Sequence, residues 1–146
     1  MSYFQYPVVA NIVGTNYQWQ VNTGNGYTNL VNGGLYSGVT NDTITIASPP
    51  TTYRNYKYRC VVNGNNGQEN ELLFSLKWKG SANVNWGNAN NWGCSSVPDI
   101  YTDVLIDSGT PFSPQVNVNA FARTLKLTPG VTLQVNSPRT LRVEQP

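Results

Sequence analysis

The chain has 146 residues, enough for one domain or two small ones, with only 11% charged residues and a net charge of +2. Soluble proteins usually carry about 25% charged residues, so this surface is made polar by Asn, Thr, Ser and Gln, as in extracellular β-rich proteins. Histidine is absent, which removes the commonest general base, nucleophile activator and metal ligand. The basic residues are scattered, and alternate ones such as Lys57 and Arg59 read as the solvated face of a strand rather than a nucleic-acid footprint. No apolar run approaches the roughly 18 residues of a membrane helix, and Met1–Gln5 has neither the basic nor the apolar region of a signal peptide. Two cysteines, Cys60 and Cys94, permit a disulfide without implying one.

Helix patterns are nearly missing, and strand patterns are frequent. Tyr3 to Val13 holds one or two strands, with Pro7 favouring an edge. In Tyr17–Val21, Tyr17, Trp19 and Val21 share one face while Gln18 and Gln20 share the other. Asn22–Gly26 is a loop, Tyr27–Val31 a short strand and Asn32–Gly34 a turn. Thr43–Ile46 is a strand with Ile44 and Ile46 inward, stopped by Pro49-Pro50. Tyr56–Val62 presents Tyr56, Tyr58, Cys60 and Val62 on one face. Asn63–Gly67 reads as a hairpin loop and Glu71–Trp78 as the returning partner strand.

Several motifs in this half carry a resemblance: Tyr-Gln-Trp-Gln at 17–20, Leu-Tyr-Ser-Gly-Val-Thr at 35–40, Thr-Ile-Thr-Ile at 43–46 and Tyr-x-Tyr-Arg-Cys at 56–60. Residues 6–77 resemble the immunoglobulin-like domains repeated in large secreted surface proteins of gliding bacteria. The resemblance implies that Trp19 is the core tryptophan of the sandwich, that Tyr58 is its tyrosine corner, and that Cys60 lies in the core. No cysteine precedes Trp19, so the usual inter-sheet disulfide cannot form, and Cys60 is most simply a buried thiol. The stretch before Tyr17 is short for two full strands, which predicts an open edge.

The stretch from Trp78 to Pro98 holds three of the four tryptophans among Asn and Gly. Trp78, Trp86 and Trp92, with Asn88 and Asn91, form the candidate ligand-binding site. Exposed indoles can stack on sugar rings while carboxamides bond to hydroxyls. The competing reading is that the indoles are packed as a cap that couples two modules. Trp86 is the indole expected to stay exposed.

After Pro98 comes a strand at Asp103–Asp107, a rigid loop at Thr110–Pro114, and an eight-residue repeat. The repeat units are Thr-Leu-Lys-Leu at 124–127, Thr-Leu-Gln-Val at 132–135 and Thr-Leu-Arg-Val at 140–143. Leu125, Leu127, Leu133, Val135, Leu141 and Val143 read as inward positions, with neighbouring units stacking on one another. Trp-x-Gly at 78–80, Trp86, Asn-Trp at 91–92, Val-Pro at 97–98 and Asp-Val-Leu-Ile at 103–106 resemble a β-helix-like repeat module. That module often follows the immunoglobulin-like domain in the same bacterial surface proteins. Its resemblance implies surface or adhesion roles and brings no catalytic residues.

Asp99, Asp103 and Asp107 recur every four residues. On a strand, Asp103 and Asp107 stand about 13 Å apart, beyond the roughly 5–9.5 Å of a paired-carboxylate glycosidase. They read as solvated acids flanking the strand, with a weak calcium site around Asp99 and Asp103 as the alternative.

The expectation is therefore an all-β protein: an immunoglobulin-like β-sandwich at residues 1–77, then a Trp-rich cap with a short β-solenoid or small β-sandwich at residues 78–146. Its expected role is non-enzymatic attachment and assembly on a cell or virion surface. A carbohydrate-binding module using the Trp78–Trp92 cluster is the alternative. A start without a signal favours a virion spike, fibre or decoration protein. The expected partners are other protein subunits, copies of itself included, or a surface glycan. No cofactor, metal, nucleic acid or membrane insertion is expected. The loops Asn22–Gly26, Asn32–Gly34 and Asn63–Gly67 are candidate contact surfaces.

Overall fold

The computed structural model describes residues 5–144, so the beginning of the stretch read as strand from Tyr3 lies outside the described residues. The chain is all-β, interrupted only by three single 3-10 turns among the described residues. It divides into two compact units, Met1–Leu73 and Phe74–Pro146.

In the first unit, β1 (Gln5–Val9), β5 (Thr43–Ala47) and β4 (Tyr36–Ser37) form an antiparallel sheet in the order β1-β5-β4. Pro7 sits in the edge strand β1, where a missing N–H costs nothing on the solvent side. The second sheet runs β3 (Tyr27–Asn29), β2 (Tyr17–Asn22), β6 (Lys57–Val62) and β7 (Asn65–Asn66), with β8 (Asn70–Glu71) also on β6. Alternation decides what is buried. Trp19 and Val21 of β2, Tyr58, Cys60 and Val62 of β6, and Ile44 and Ile46 of β5 are all buried. The Trp19 indole N–H donates to the Asn41 carbonyl at 3.0 Å. The hydroxyls of Tyr36 and Tyr58 meet at 3.2 Å, linking β4 of one sheet to β6 of the other. Tyr58 thus bonds a side chain, where a tyrosine corner would bond backbone.

The segment expected to form one loop at Asn63–Gly67 is a tight hairpin. Asn63 and Gly64 both have positive φ, 50° and 83°, the conformation a two-residue turn requires. Asn65 and Asn66 already pair with Val62 and Val61. The single returning strand expected at Glu71–Trp78 is divided as well. Asn70–Glu71 pairs with β6, whereas β9 (Ser75–Lys77) pairs with β10 (Asp103–Ile106) in the second unit.

In the second unit the pairing is parallel. β10, β11 (Gln115–Val116) and β12 (Ala120–Ala122) pair respectively with β13 (Thr124–Leu127), β14 (Gln134–Val135) and β15 (Leu141–Val143). Asp103 faces Thr124, Gln115 faces Gln134 and Ala120 faces Leu141, a nearly constant offset along the chain. The eight-residue units therefore do not stack on one another. Each pairs instead with a separate strand that precedes the repeat, so the spacing of eight separates successive faces rather than successive layers. The inward positions need the same correction. Leu125, Leu133 and Leu141 are half-buried at the margin of the core, while Leu127, Val135 and Val143 are exposed. The buried layer comes from their upstream partners, Val104, Ile106, Val116, Ala120 and Ala122.

Candidate functional site

The tryptophan segment is built around one buried carboxamide. Asn91 is 0% exposed. Its Oδ1 accepts from the Ala82 and Asn83 N–H groups at 2.9 and 3.0 Å. Its Nδ2 donates to Asn83 Oδ1 and to the Asn85 carbonyl, both at 2.9 Å. Its own carbonyl accepts from the Lys79 and Gly80 N–H groups. A loop without a regular ladder must satisfy its backbone groups by some other route before it can be buried, and Asn91 supplies that route. Asn88 is half-buried, and its Oδ1 accepts from the Asn90 N–H at 3.1 Å, capping the short turn at Ala89–Asn91.

With the loop so held, the indoles turn inward. Trp78, Trp86 and Trp92 are each 0% exposed and pack with Val104, Ile106, Val116, Ala120 and Ala122. Trp92 meets Trp78 edge to face at 5.0 Å between ring centroids, and meets Trp86 in the same manner at 4.7 Å. The Trp78 indole N–H donates to the Phe112 carbonyl at 2.8 Å. Gly80 lies so close to both groups that a Cβ there would collide with them, and its φ of +55° favours glycine in its own right. The structure brings the predicted residues together, but as a core. The expectation that Trp86 stays exposed is corrected, and none of the three indoles offers a face to a sugar ring.

The aspartates are committed to protein groups. Asp99 Oδ1 accepts from the Tyr101 N–H at 2.9 Å and from the Thr102 hydroxyl at 2.7 Å. Asp103 Oδ1 accepts from Arg123 Nε at 2.8 Å and from the Thr124 hydroxyl at 2.6 Å. Asp107 pairs with Lys77 at 2.7 Å. The calcium alternative around Asp99 and Asp103 gains no support, since no cluster of three or more metal-ligating side chains exists among the described residues. Cys60 is buried and Cys94 exposed, and both are free thiols. Burial pushes the Cys60 thiol up, which keeps it protonated and unreactive at neutral pH.

The outward face of β2-β3-β6 carries a row of polar side chains. Gln18 stands opposite Val61 and Gln20 opposite both Arg59 and Asn29. At one end of this face the Arg59 guanidinium lies 3.8 Å from the centre of the Tyr27 ring. Glu69 is held below the usual carboxylate range by the Tyr27 hydroxyl first, and then by Lys57 and Arg59. At the other end is a cleft of about 320 Å³ lined by Asn16, Gln18, Gln20, Asn29, Val61 and Asn63. The sequence placed Gln18 and Gln20 outward by alternation. It did not signal a concavity, because the cleft depends on strand order and on the Asn63-Gly64 turn.

Strand content and register define the class as all-β. A family model described as a domain of unknown function (DUF8693) matches residues 77–146, beginning within β9. No curated protein and no solved structure matches the chain.

Proposed function

We propose that the chain is a non-enzymatic structural and interaction protein displayed on a cell or virion surface, where it serves attachment and assembly. In this reading the first unit is an immunoglobulin-like sandwich. The sheet orders β1-β5-β4 and β3-β2-β6-β7 support it, together with Trp19 and Tyr58 in the core. The second unit is a short parallel β-solenoid, supported by three parallel pairs at a nearly constant offset. The low charge density suits an extracellular setting, and a sequence without histidine is poorly equipped for acid–base chemistry.

One observation carries the assembly reading. Leu127, Val135 and Val143 are 40, 45 and 47% exposed, and each lies one ladder step beyond a buried residue: Ile106, Val116 and Ala122 respectively. Their strands β13, β14 and β15 each pair on one side only among the described residues. An apolar layer with free strand edges is a template for further β-pairing, and a second copy of this chain is the proposed occupant. Light scattering on the purified protein tests it. The expected result is a stable oligomer that a Leu127→Lys, Val135→Lys double variant converts to a monomer that still unfolds cooperatively, with a melting temperature that no longer depends on protein concentration. A strict monomer at all concentrations would overturn the proposal.

A further inference from the structure

We infer that the cleft on the outward face of β2-β3-β6 is a binding site for a neutral saccharide. Five of its seven lining residues carry a carboxamide, a group that holds both a donor and an acceptor, as a sugar hydroxyl does. The array is fixed in advance. Gln18 Nε2 donates to the carbonyls of Trp19 and Leu30 at 2.9 and 3.0 Å, which leaves its Oε1 without a partner among the described residues. Gln20 is held at both ends, its Nε2 donating to Asn29 Oδ1 and its Oε1 accepting from Arg59 Nε, both at 2.8 Å. Asn29 is thereby oriented through its oxygen and keeps its Nδ2 donors unused. Asn63 Oδ1 accepts from the Thr15 N–H, the Thr15 hydroxyl and the Asn16 N–H at 3.3, 3.2 and 3.0 Å, which fixes the rim on which the unbonded Asn16 side chain sits. A ligand here meets polar groups already ordered, so little side-chain entropy is lost when it binds.

The lining selects the ligand class. No charged side chain lines the cleft. Arg59, beside the cleft through Gln20, is committed to Gln20 and to the Tyr27 ring, so an acidic sugar finds no counter-charge among the lining residues. Val61 supplies one apolar patch in the floor, suited to the C–H face of a pyranose. The volume, about 320 Å³, lies at the small end of ligand sites, which run from roughly 300 to 1,000 Å³, and suits one or two sugar rings. This site is separate from the buried indoles and adds a ligand class to the attachment reading.

The test is a 15N NMR titration of the full chain with cellotetraose, maltotetraose, chitotetraose and sialyllactose. At least one neutral oligosaccharide is expected to shift the side-chain amide signals of Gln18, Asn29 and Asn16 saturably. Asn29→Ala is expected to weaken that binding tenfold or more without moving the melting temperature. Should Asn29→Ala loosen the sheet through Gln20, Asn16→Ala gives the same reading from a side chain with no internal bond. Absence of any shift up to about 10 mM, shifts confined to another surface, binding of sialyllactose alone, or binding indifferent to both variants would each overturn the inference. Oligomeric state is measured separately, so a monomer that binds a neutral glycan through these residues sinks the assembly reading and leaves this one standing.

Discussion

The Trp92 and Trp86 rings meet in a T-shaped contact at 72° between ring planes, and the Trp92 indole N–H donates to the carbonyl of Trp86 at 2.7 Å. Trp92 is thus tied to Trp86 through both ring and backbone, and it also meets Trp78, at 80° between ring planes. Trp92→Ala removes the central member of three and is expected to destabilise the second unit by about 3–5 kcal/mol. Denaturant unfolding followed by tryptophan fluorescence measures this. A loss below about 1 kcal/mol would mean that the indoles do not form a core.

Asn91 tests whether one carboxamide organises the loop. Asn91→Ala leaves the N–H groups of Ala82 and Asn83 and the Asn85 carbonyl without their partner. Unsatisfied buried polar groups cost about 1–3 kcal/mol each, so an overall loss of about 2–4 kcal/mol is expected, together with faster amide hydrogen exchange from Lys79 to Trp92. By contrast, Asn88→Ala removes one exposed-side bond and is expected to cost about 1 kcal/mol or less. Equal effects from the two substitutions would contradict the assignment.

Stability is expected to be flat through neutral pH and to fall in alkali. Burial and the Glu69 carboxylate push Tyr27 up from 10.0 to about 12. Burial also raises Tyr58 and Tyr36 above 10.0 and Cys60 above 9.0. Each group binds its proton more tightly in the folded state, so its contribution is fully present below the unfolded value. It is lost as pH rises from that value through the folded one. The melting temperature should therefore begin to fall above about pH 9 and fall more steeply beyond about pH 10. A profile unchanged to about pH 11.5 would show that these phenols and the thiol are solvated.

Some of this was legible in the sequence. Period-two alternation placed Trp19, Tyr58, Cys60 and Val62 on inward faces because each lies in a strand of six residues. The second unit was harder, since its strands are mostly pairs and triplets of residues, with Asp103–Ile106 and Thr124–Leu127 the longest. A spacing of eight between similar tetrapeptides is then read as stacking, although the true parallel partners lie much further apart along the chain and share little sequence identity. Val116 and Val135 form a matched pair, but Ile106 faces Leu127 and Ala122 faces Val143. The tryptophans resist a reading from composition because Asn and Gly imply solvent. Hydrogen bonds between Asn91 and Ala82, Asn83 and Asn85 reverse that implication, and composition does not reveal them.

The parallel ladder also sets which changes of chain length the second unit can absorb. Deleting one eight-residue unit, such as 132–139, removes β14 and shortens the step from β12 to β15, while β10 and β13 keep their pairing. Inserting one full period, as long as the step from Asp103 to Thr124 and carrying the apolar residues of Val104 to Ala122, keeps every strand in phase and adds one more layer of the same kind. In the proposed solenoid growth comes in whole rungs, of about 20 to 30 residues, rather than by single repeats of eight.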